Sequence, residues 1–280
     1  MWNEISKKIS YHAVYDHSII EALHYAKENG FAGIQIAIES PHLSFENLLN
    51  NHCEKIRNFC EKQDLSINIH GPDVVISLFT HNSHLKQGIF SYYNQLFTFA
   101  EKIKSRLITI HLGDYTTFPT DTDPTIEIPD RDLEIYEETL QNNLETLLRF
   151  ANNRFIICIE NYNIKPFILD ILHSFLKQEE IWLCWDLPKT YNRKNQKDQS
   201  IENFFIKNIN SVKQVHLHDL NDYGESHKVL GSGVLDFKYF LNKLNISNIL
   251  DFCIEVRPQE KACESLLNLR SLILAEGNSS

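Results

Sequence analysis

The chain contains no run of about 18 apolar residues, so no segment is expected to cross a membrane. It contains no Cys-x-x-Cys pair. Its six cysteines (Cys53, Cys60, Cys158, Cys184, Cys253 and Cys263) are scattered, and 280 residues build a core without disulfide staples. No G-x-G-x-x-G loop follows the first strand-like segment; Tyr15-Asp16-His17-Ser18 stands there instead, which weakens a dinucleotide-binding reading. Basic residues are also short, with 27 Lys and Arg against 37 Asp and Glu, a net charge of −10. That balance argues against a general binder of nucleic acid or anionic membrane, although a local basic patch is compatible with it. The first ten residues carry Lys7 and Lys8 but no apolar core, so no signal peptide is expected, and a reduced, cytoplasmic setting is. No low-complexity linker divides the chain.

What is present is an alternation. Short apolar runs that read as strands cover residues 9–16, 33–38, 66–72, 107–114, 155–161, 181–187, 212–219 and 252–257. Helical patterns cover 19–28, 45–61, 85–104, 133–151, 165–176, 200–208, 237–244 and 259–274, with start signals such as Ser18, Ser44 and Pro166. Strand followed by helix, eight times, is the arrangement of a parallel α/β protein, and eight units in one chain favour a closed (β/α)8 TIM barrel over an open sheet. Residues 1–274 are therefore expected to form one barrel and 275–280 a flexible tail. The irregular stretch 116–130, with Pro119, Pro124 and Pro129, reads as a long loop or lid above the barrel, and 189–199 as a second polar loop.

Ionisable residues gather at the strand ends. Six consecutive strands end in Ile69-His70-Gly71, Ile110-His111-Leu112, Ile159-Glu160-Asn161, Trp185-Asp186-Leu187, Val215-His216-Leu217-His218-Asp219 and Ile254-Glu255-Val256-Arg257. One such residue would be read as a hydrogen-bonded rim side chain or a helix cap. Six converge on one barrel mouth, and carboxylates do not crowd into an apolar mouth without a cation. His70, His111, Glu160, Asp186, His216 and Glu255 form a set suited to one or two ions of zinc, manganese, iron, cobalt or magnesium. Cys158, Cys184 and Cys253 each lie two residues before one of these, so alternation turns them inward one layer below, where they read as small apolar filler rather than thiolate ligands.

The chain resembles the xylose-isomerase-like barrels, the superfamily of sugar phosphate isomerases and epimerases and of endonuclease IV. The matching residues are His70-Gly71-Pro72, His111-Leu112-Gly113, Glu160-Asn161, Asp186, and His216-Leu217-His218-Asp219 with His227, Leu230-Gly231-Ser232-Gly233 and Asp236-Phe237 following; Glu255 closes the series. The resemblance spans nearly the whole chain. It implies a main metal held by Glu160, Asp186, His216 and Glu255, and in the endonuclease IV branch a second ion on His70 and His111 that shares Glu160. A third ion in that branch uses an acid-x-His pair, here Glu225-Ser226-His227, and a His three residues after the strand-six Asp. That position is Lys189, so a complete third site is not expected. Lys189 reads either as a cationic substrate clamp or as a solvated loop lysine. Asp73 stands where the nuclease branch has an aromatic residue, and its carboxylate would repel a phosphodiester.

The function this implies is a metal-dependent isomerase or epimerase of carbohydrate metabolism, acting on a small polar substrate, a sugar or sugar phosphate. The metal polarises a carbonyl, and Glu160 and Glu255 remove and return the neighbouring proton through an enediolate. His218, His227, Arg257 and Lys189 are the substrate-contacting candidates. The alternative is a two-metal hydrolase of endonuclease IV type, cleaving a phosphodiester or amide; a catalytically inactive binding barrel is a third reading. Nucleic acid is not an expected partner. Many relatives form dimers or tetramers, which leaves a homo-oligomer open.

Overall fold

Eight short strands pair in chain order and close on themselves: β1 (Ile9–Ala13), β2 (Gly33–Ala37), β3 (Ser66–His70), β4 (Leu107–Ile110), β5 (Ile156–Glu160), β6 (Trp182–Asp186), β7 (Val212–Leu217) and β8 (Asp251–Ile254). Every pairing is parallel, and β8 returns to β1. The structure is a computed structural model that describes residues 1–48, 50–73, 75–116, 130–192 and 194–277. The fold is the expected (β/α)8 TIM barrel.

Alternation assigns the two faces of each strand. Ile34 and Ile36, Ile67 and Ile69, Ile157 and Ile159, and Val215 and Leu217 are buried in the layer between barrel and helices. The intervening residues turn inward. Gln35 on β2 donates to Gln214 Oε1 on β7 at 3.3 Å, although the two strands are not neighbours, so they meet inside the barrel. Thr109 Oγ1 donates to the same oxygen, and Gln214 Nε2 donates to Asp251 Oδ2 at 2.6 Å. Cys158, Cys184 and Cys253 fill the interior beside this network, fully buried. Burial raises all three thiols, which matches filler rather than thiolate.

The polar floor was not foreseen, because Asp251 precedes the apolar run that marks β8. Burial pushes its carboxyl from 3.8 up to about 6, against the hydrogen bond from Gln214. The folded chain thus holds this proton more tightly than the unfolded one. The stabilisation is complete below the ordinary carboxyl pKa and is lost as pH rises through about 6. Asp251→Asn is expected to recover up to about 3 kcal/mol at neutral pH. In urea unfolding, the variant's stability should fall less than the wild type's between acid and neutral pH; parallel profiles would contradict this.

The helices are α1 (Trp2–Ile5), α2 (Ile19–Glu28), α3 (Asn50–Gln63), α4 (Ser83–Ile103), α5 (Asp130–Ala151), α6 (Pro166–Lys177), α7 (Gln199–Lys207), α8 (Phe237–Lys243) and α9 (Gln259–Gly277). Ser18 caps α2 through Glu21 N–H, and Asp198 and Asp236 cap α7 and α8. The helix expected from residue 45 divides. Ser44 caps a 3-10 turn at Phe45–Asn47, Leu48 is extended with its side chain against the core, and α3 follows. α1 is an addition to the sequence reading, too short for periodicity to reveal; it buries Ile5. α9 continues past the expected end at Leu274 through Gly277, and 278–280 lie outside the described residues. The expected lid at 116–130 lies, apart from its two end residues, outside them too. The second polar loop is a 3-10 turn at Pro188–Thr190 followed by an antiparallel bridge between Tyr191 and Lys197. Among the described residues, no helix is long and apolar enough to cross a membrane.

Candidate metal centre

The strands stop sooner than their apolar runs, and this decides what stands at the mouth. His70, Glu160 and Asp186 are the last residues of β3, β5 and β6. His111 and Glu255 lie one residue beyond β4 and β8, and His216 is the penultimate residue of β7, in register with Asp186. All six are buried.

Their polar atoms converge on one carboxylate oxygen. Glu160 Oε2 lies 3.3 Å from His70 Nε2, 3.1 Å from His111 Nε2 and 3.2 Å from His216 Nδ1. His216 Nδ1 is also 3.3 Å from Glu255 Oε1. The far sides of two rings set their tautomers. His70 Nδ1 must donate to the Gly71 carbonyl at 2.9 Å, and His111 Nδ1 donates to Asp73. Nε2 of each ring then faces the Glu160 oxygen, and His70 Nε2 lies within hydrogen-bond geometry of it. Among the described residues, His111 Nε2 and His216 Nδ1 have no hydrogen-bond partner despite their closeness to carboxylates. Ligands about 2.0–2.1 Å from a tetrahedral ion stand about 3.3 Å from one another, close to the distance of each imidazole nitrogen from the Glu160 oxygen. Glu160 with His70 and His216 could therefore hold a divalent ion, with His111 facing the same carboxylate oxygen; Asp186, His216 and Glu255 form a second cluster of ligating atoms, and His218, His227 and Glu255 a third.

The field of the site favours positive charge. Burial disfavours the imidazolium, but Glu160 and Asp73 raise His111 to about 9. Glu255 and Glu160 likewise raise His216 to about 9 against its burial. Burial opposes ionisation of Glu160 and Glu255 as well, yet both are held well below the carboxylate range, the first by Lys189, His111 and His216, the second by His216.

Around this centre the sequence-derived assignments divide. Lys189 is not a solvated loop lysine. Its Nζ pairs with Glu160 Oε1 and lies 3.1 Å from Asp186 Oδ2, with its side chain 22% exposed. His218 is not open to substrate. Its Nδ1 accepts the His227 N–H at 3.0 Å, so Nε2 donates to Asp186 Oδ2 at 3.1 Å, and both nitrogens are spent on holding the carboxylate. His227, with φ +57, stacks on His218, and its Nδ1 donates to the Glu255 carbonyl at 2.8 Å. Burial lowers it to about 4, so it is neutral, with Nε2 left to accept. Glu225 is paired with Lys228 and Asn221 at the surface, away from the centre, so the acid-x-His pair does not assemble. Arg257 does border the site: with His12, Glu39, Ser40, His70 and Asp73 it lines a cavity of about 340 Å³, and its Nε has no hydrogen-bond partner among the described residues.

Asp219 has a structural task. Its carboxylate accepts backbone N–H groups from Leu220, Gly231, Gly233 and Leu235 at 2.9–3.0 Å, folding the glycine loop onto β7. A Cβ on Gly233 would stand 1.9 Å from the Leu220 carbonyl oxygen. Gly233→Ala is expected to destabilise the chain by roughly 1–3 kcal/mol, read as a lower urea midpoint.

Two residues, His12 and Tyr162, escaped the sequence reading, and Asn161, quoted there beside Glu160, was given no role. His12 on β1 has Nδ1 3.3 Å from Glu255 Oε1, and burial keeps it neutral. Reading that strand through residue 16 hid the fact that it ends at Ala13, where His12 is a mouth residue. Tyr162 stacks on His111 at 4.4 Å and 9°. Asn161 clamps β5 to β6 through two hydrogen bonds with the Asp186 backbone, at 2.7 and 2.9 Å. Both follow Glu160 directly, the one signal available.

Comparison with known proteins agrees with this architecture. The uncharacterized protein MJ1614 of Methanocaldococcus jannaschii is 24% identical over 203 residues, covering 68% of this chain and 72% of the relative. Among solved structures, a D-tagatose 3-epimerase-like protein superposes with a TM-score of 0.74 at 16% identity, covering 98% of this chain and all of that one. Endonuclease IV from Thermus thermophilus gives 0.70 at 16% identity over 96% and 99%. The 3-keto-D-glucoside 4-epimerase YcjR from E. coli gives 0.69 at 16% identity over 94% and 99%. At such identities the likeness is one of fold. The profile of the family described as xylose isomerase-like TIM barrel matches residues 23–272, and the chain belongs to that family.

Proposed function

We propose that this chain is a divalent-metal-dependent sugar isomerase or epimerase. The observation that carries the reading is the pair Glu160 and Glu255, two buried carboxylates from opposite parts of the barrel, 3.2 and 3.3 Å from the same His216 nitrogen beside a polar cavity of about 340 Å³. That volume is at the small end of ligand pockets, about 300–1,000 Å³, and suits a monosaccharide. His70, His111, Glu160 and His216, with Asp186 and Glu255 beside them, are the residues that would hold the metal. A divalent ion supplies, when bound, the positive charge that polarises a carbonyl and stabilises a developing oxyanion. Glu160 and Glu255 would then exchange the proton on the carbon next to that carbonyl, one removing it and the other returning it. Arg257 and the neutral His12 would bind hydroxyl oxygens at the cavity wall. Several proteins of similar fold are sugar epimerases, among them a D-psicose 3-epimerase with D-tagatose and an L-ribulose 3-epimerase. The expected setting is cytoplasmic.

The test is to incubate metal-loaded protein with a panel of ketoses in D₂O. Deuterium should enter the carbon next to the carbonyl, and epimers should interconvert. The second reading, a hydrolase of endonuclease IV type, draws on the complete set of six mouth residues. Asp73 at the rim and the net charge of −10 speak against a phosphodiester. DNA with an abasic site should therefore stay intact at physiological salt. Robust incision, with no deuterium exchange on the panel, would reverse the ranking.

A further inference from the structure

We propose that Lys189 is a resident cation that fills the place between Glu160 and Asp186 and so restricts the mouth to a single divalent ion, held by Glu160 Oε2 with His70, His111 and His216. This rests on the metal-dependent reading above and goes beyond it by fixing the number of ions.

The acceptor atoms carry the argument. Lys189 begins its approach with its own backbone, whose N–H donates to Asp186 Oδ1 at 3.0 Å in the turn Pro188–Thr190. Its Nζ then lies 3.1 Å from Oδ2 of the same carboxylate and pairs with Glu160 Oε1, with the Tyr162 ring 5.2 Å away on another side. Asp186 Oδ2 also accepts from His218. The ammonium thus spans Asp186 Oδ2 and Glu160 Oε1, and a divalent ion between these two oxygens would have to displace it. Glu160 is divided: Oε1 faces the ammonium, Oε2 the three imidazoles.

Charge gives the same count. Glu160, Asp186 and Glu255 are buried, and uncompensated buried charge of either sign costs several kcal/mol per ion. One divalent ion and one ammonium together match three carboxylates. Two divalent ions with the ammonium in place would leave excess positive charge in the same enclosed volume.

The experiment is cobalt stoichiometry, by elemental analysis of protein dialysed to equilibrium against Co²⁺, together with an anomalous difference map of wild-type crystals at the cobalt edge. Wild type should hold one ion per chain, with a single anomalous peak beside His70, His111 and His216 and with Lys189 still on Glu160 and Asp186. Lys189→Met should hold two, and Lys189→Arg, which keeps the charge, one. Two ions in wild type, a peak between Glu160 and Asp186, or a single ion in Lys189→Met would overturn the proposal while leaving metal dependence intact. No ion in wild type would instead remove the reading on which it rests. If Lys189→Met does not fold, the wild-type map still decides.

Discussion

Glu255→Gln and Glu160→Gln should each reduce turnover by at least about 10³-fold, the scale expected when a general acid or base is removed. The two variants should differ in what else they lose. Glu255 faces His216 and His12, and burial keeps His12 neutral, so replacing it removes one carboxylate from a site that still has its imidazoles. Metal content should fall only modestly, and circular dichroism should match wild type. Glu160 is the hub: three imidazole nitrogens surround Oε2, and Lys189 holds Oε1. A neutral amide there leaves a half-buried ammonium with Asp186 as its remaining close carboxylate partner among the described residues, and three nitrogens without their shared anion. Glu160→Gln should lose metal as well as turnover. Full activity in either variant would rule out a mechanism that uses two carboxylates.

The second large effect concerns His216. It is fully buried, joins both carboxylates, and among the described residues has no hydrogen-bond partner on either ring nitrogen. An imidazole so placed contributes little to an empty site and much to a metal-bound one. A ligand that binds only the folded state stabilises it by about 2.7 kcal/mol at 100 times its Kd and about 4.1 kcal/mol at 1,000 times. Wild type should therefore melt markedly lower after chelation and recover when Zn²⁺, Mn²⁺ or Co²⁺ is restored. His216→Ala should melt at one temperature with or without metal. A metal-dependent shift of wild-type size in His216→Ala would place the ion elsewhere.

The barrel was legible because each strand is a short apolar run and each helix a longer periodic one, in strict alternation. The six mouth residues were legible because each closes such a run, and all six meet in space. Their surroundings were less so. His12 was lost to a strand end set too late, since apolar pattern continues past the last paired residue. The roles of Lys189 and His218 depend on side-chain direction: two nitrogens of one ring, or one turn of 3-10 helix, decide whether a group meets substrate or a neighbouring carboxylate. The network Gln35–Gln214–Asp251 links residues far apart in sequence across the barrel, and no local pattern announces it.

The central claim is that imidazole nitrogens and carboxylate oxygens at this mouth surround a metal ion. Elemental analysis of protein reconstituted with divalent metal and then dialysed tests it most directly. The account predicts at least one divalent transition ion retained per chain; protein that remains metal-free after reconstitution would contradict it.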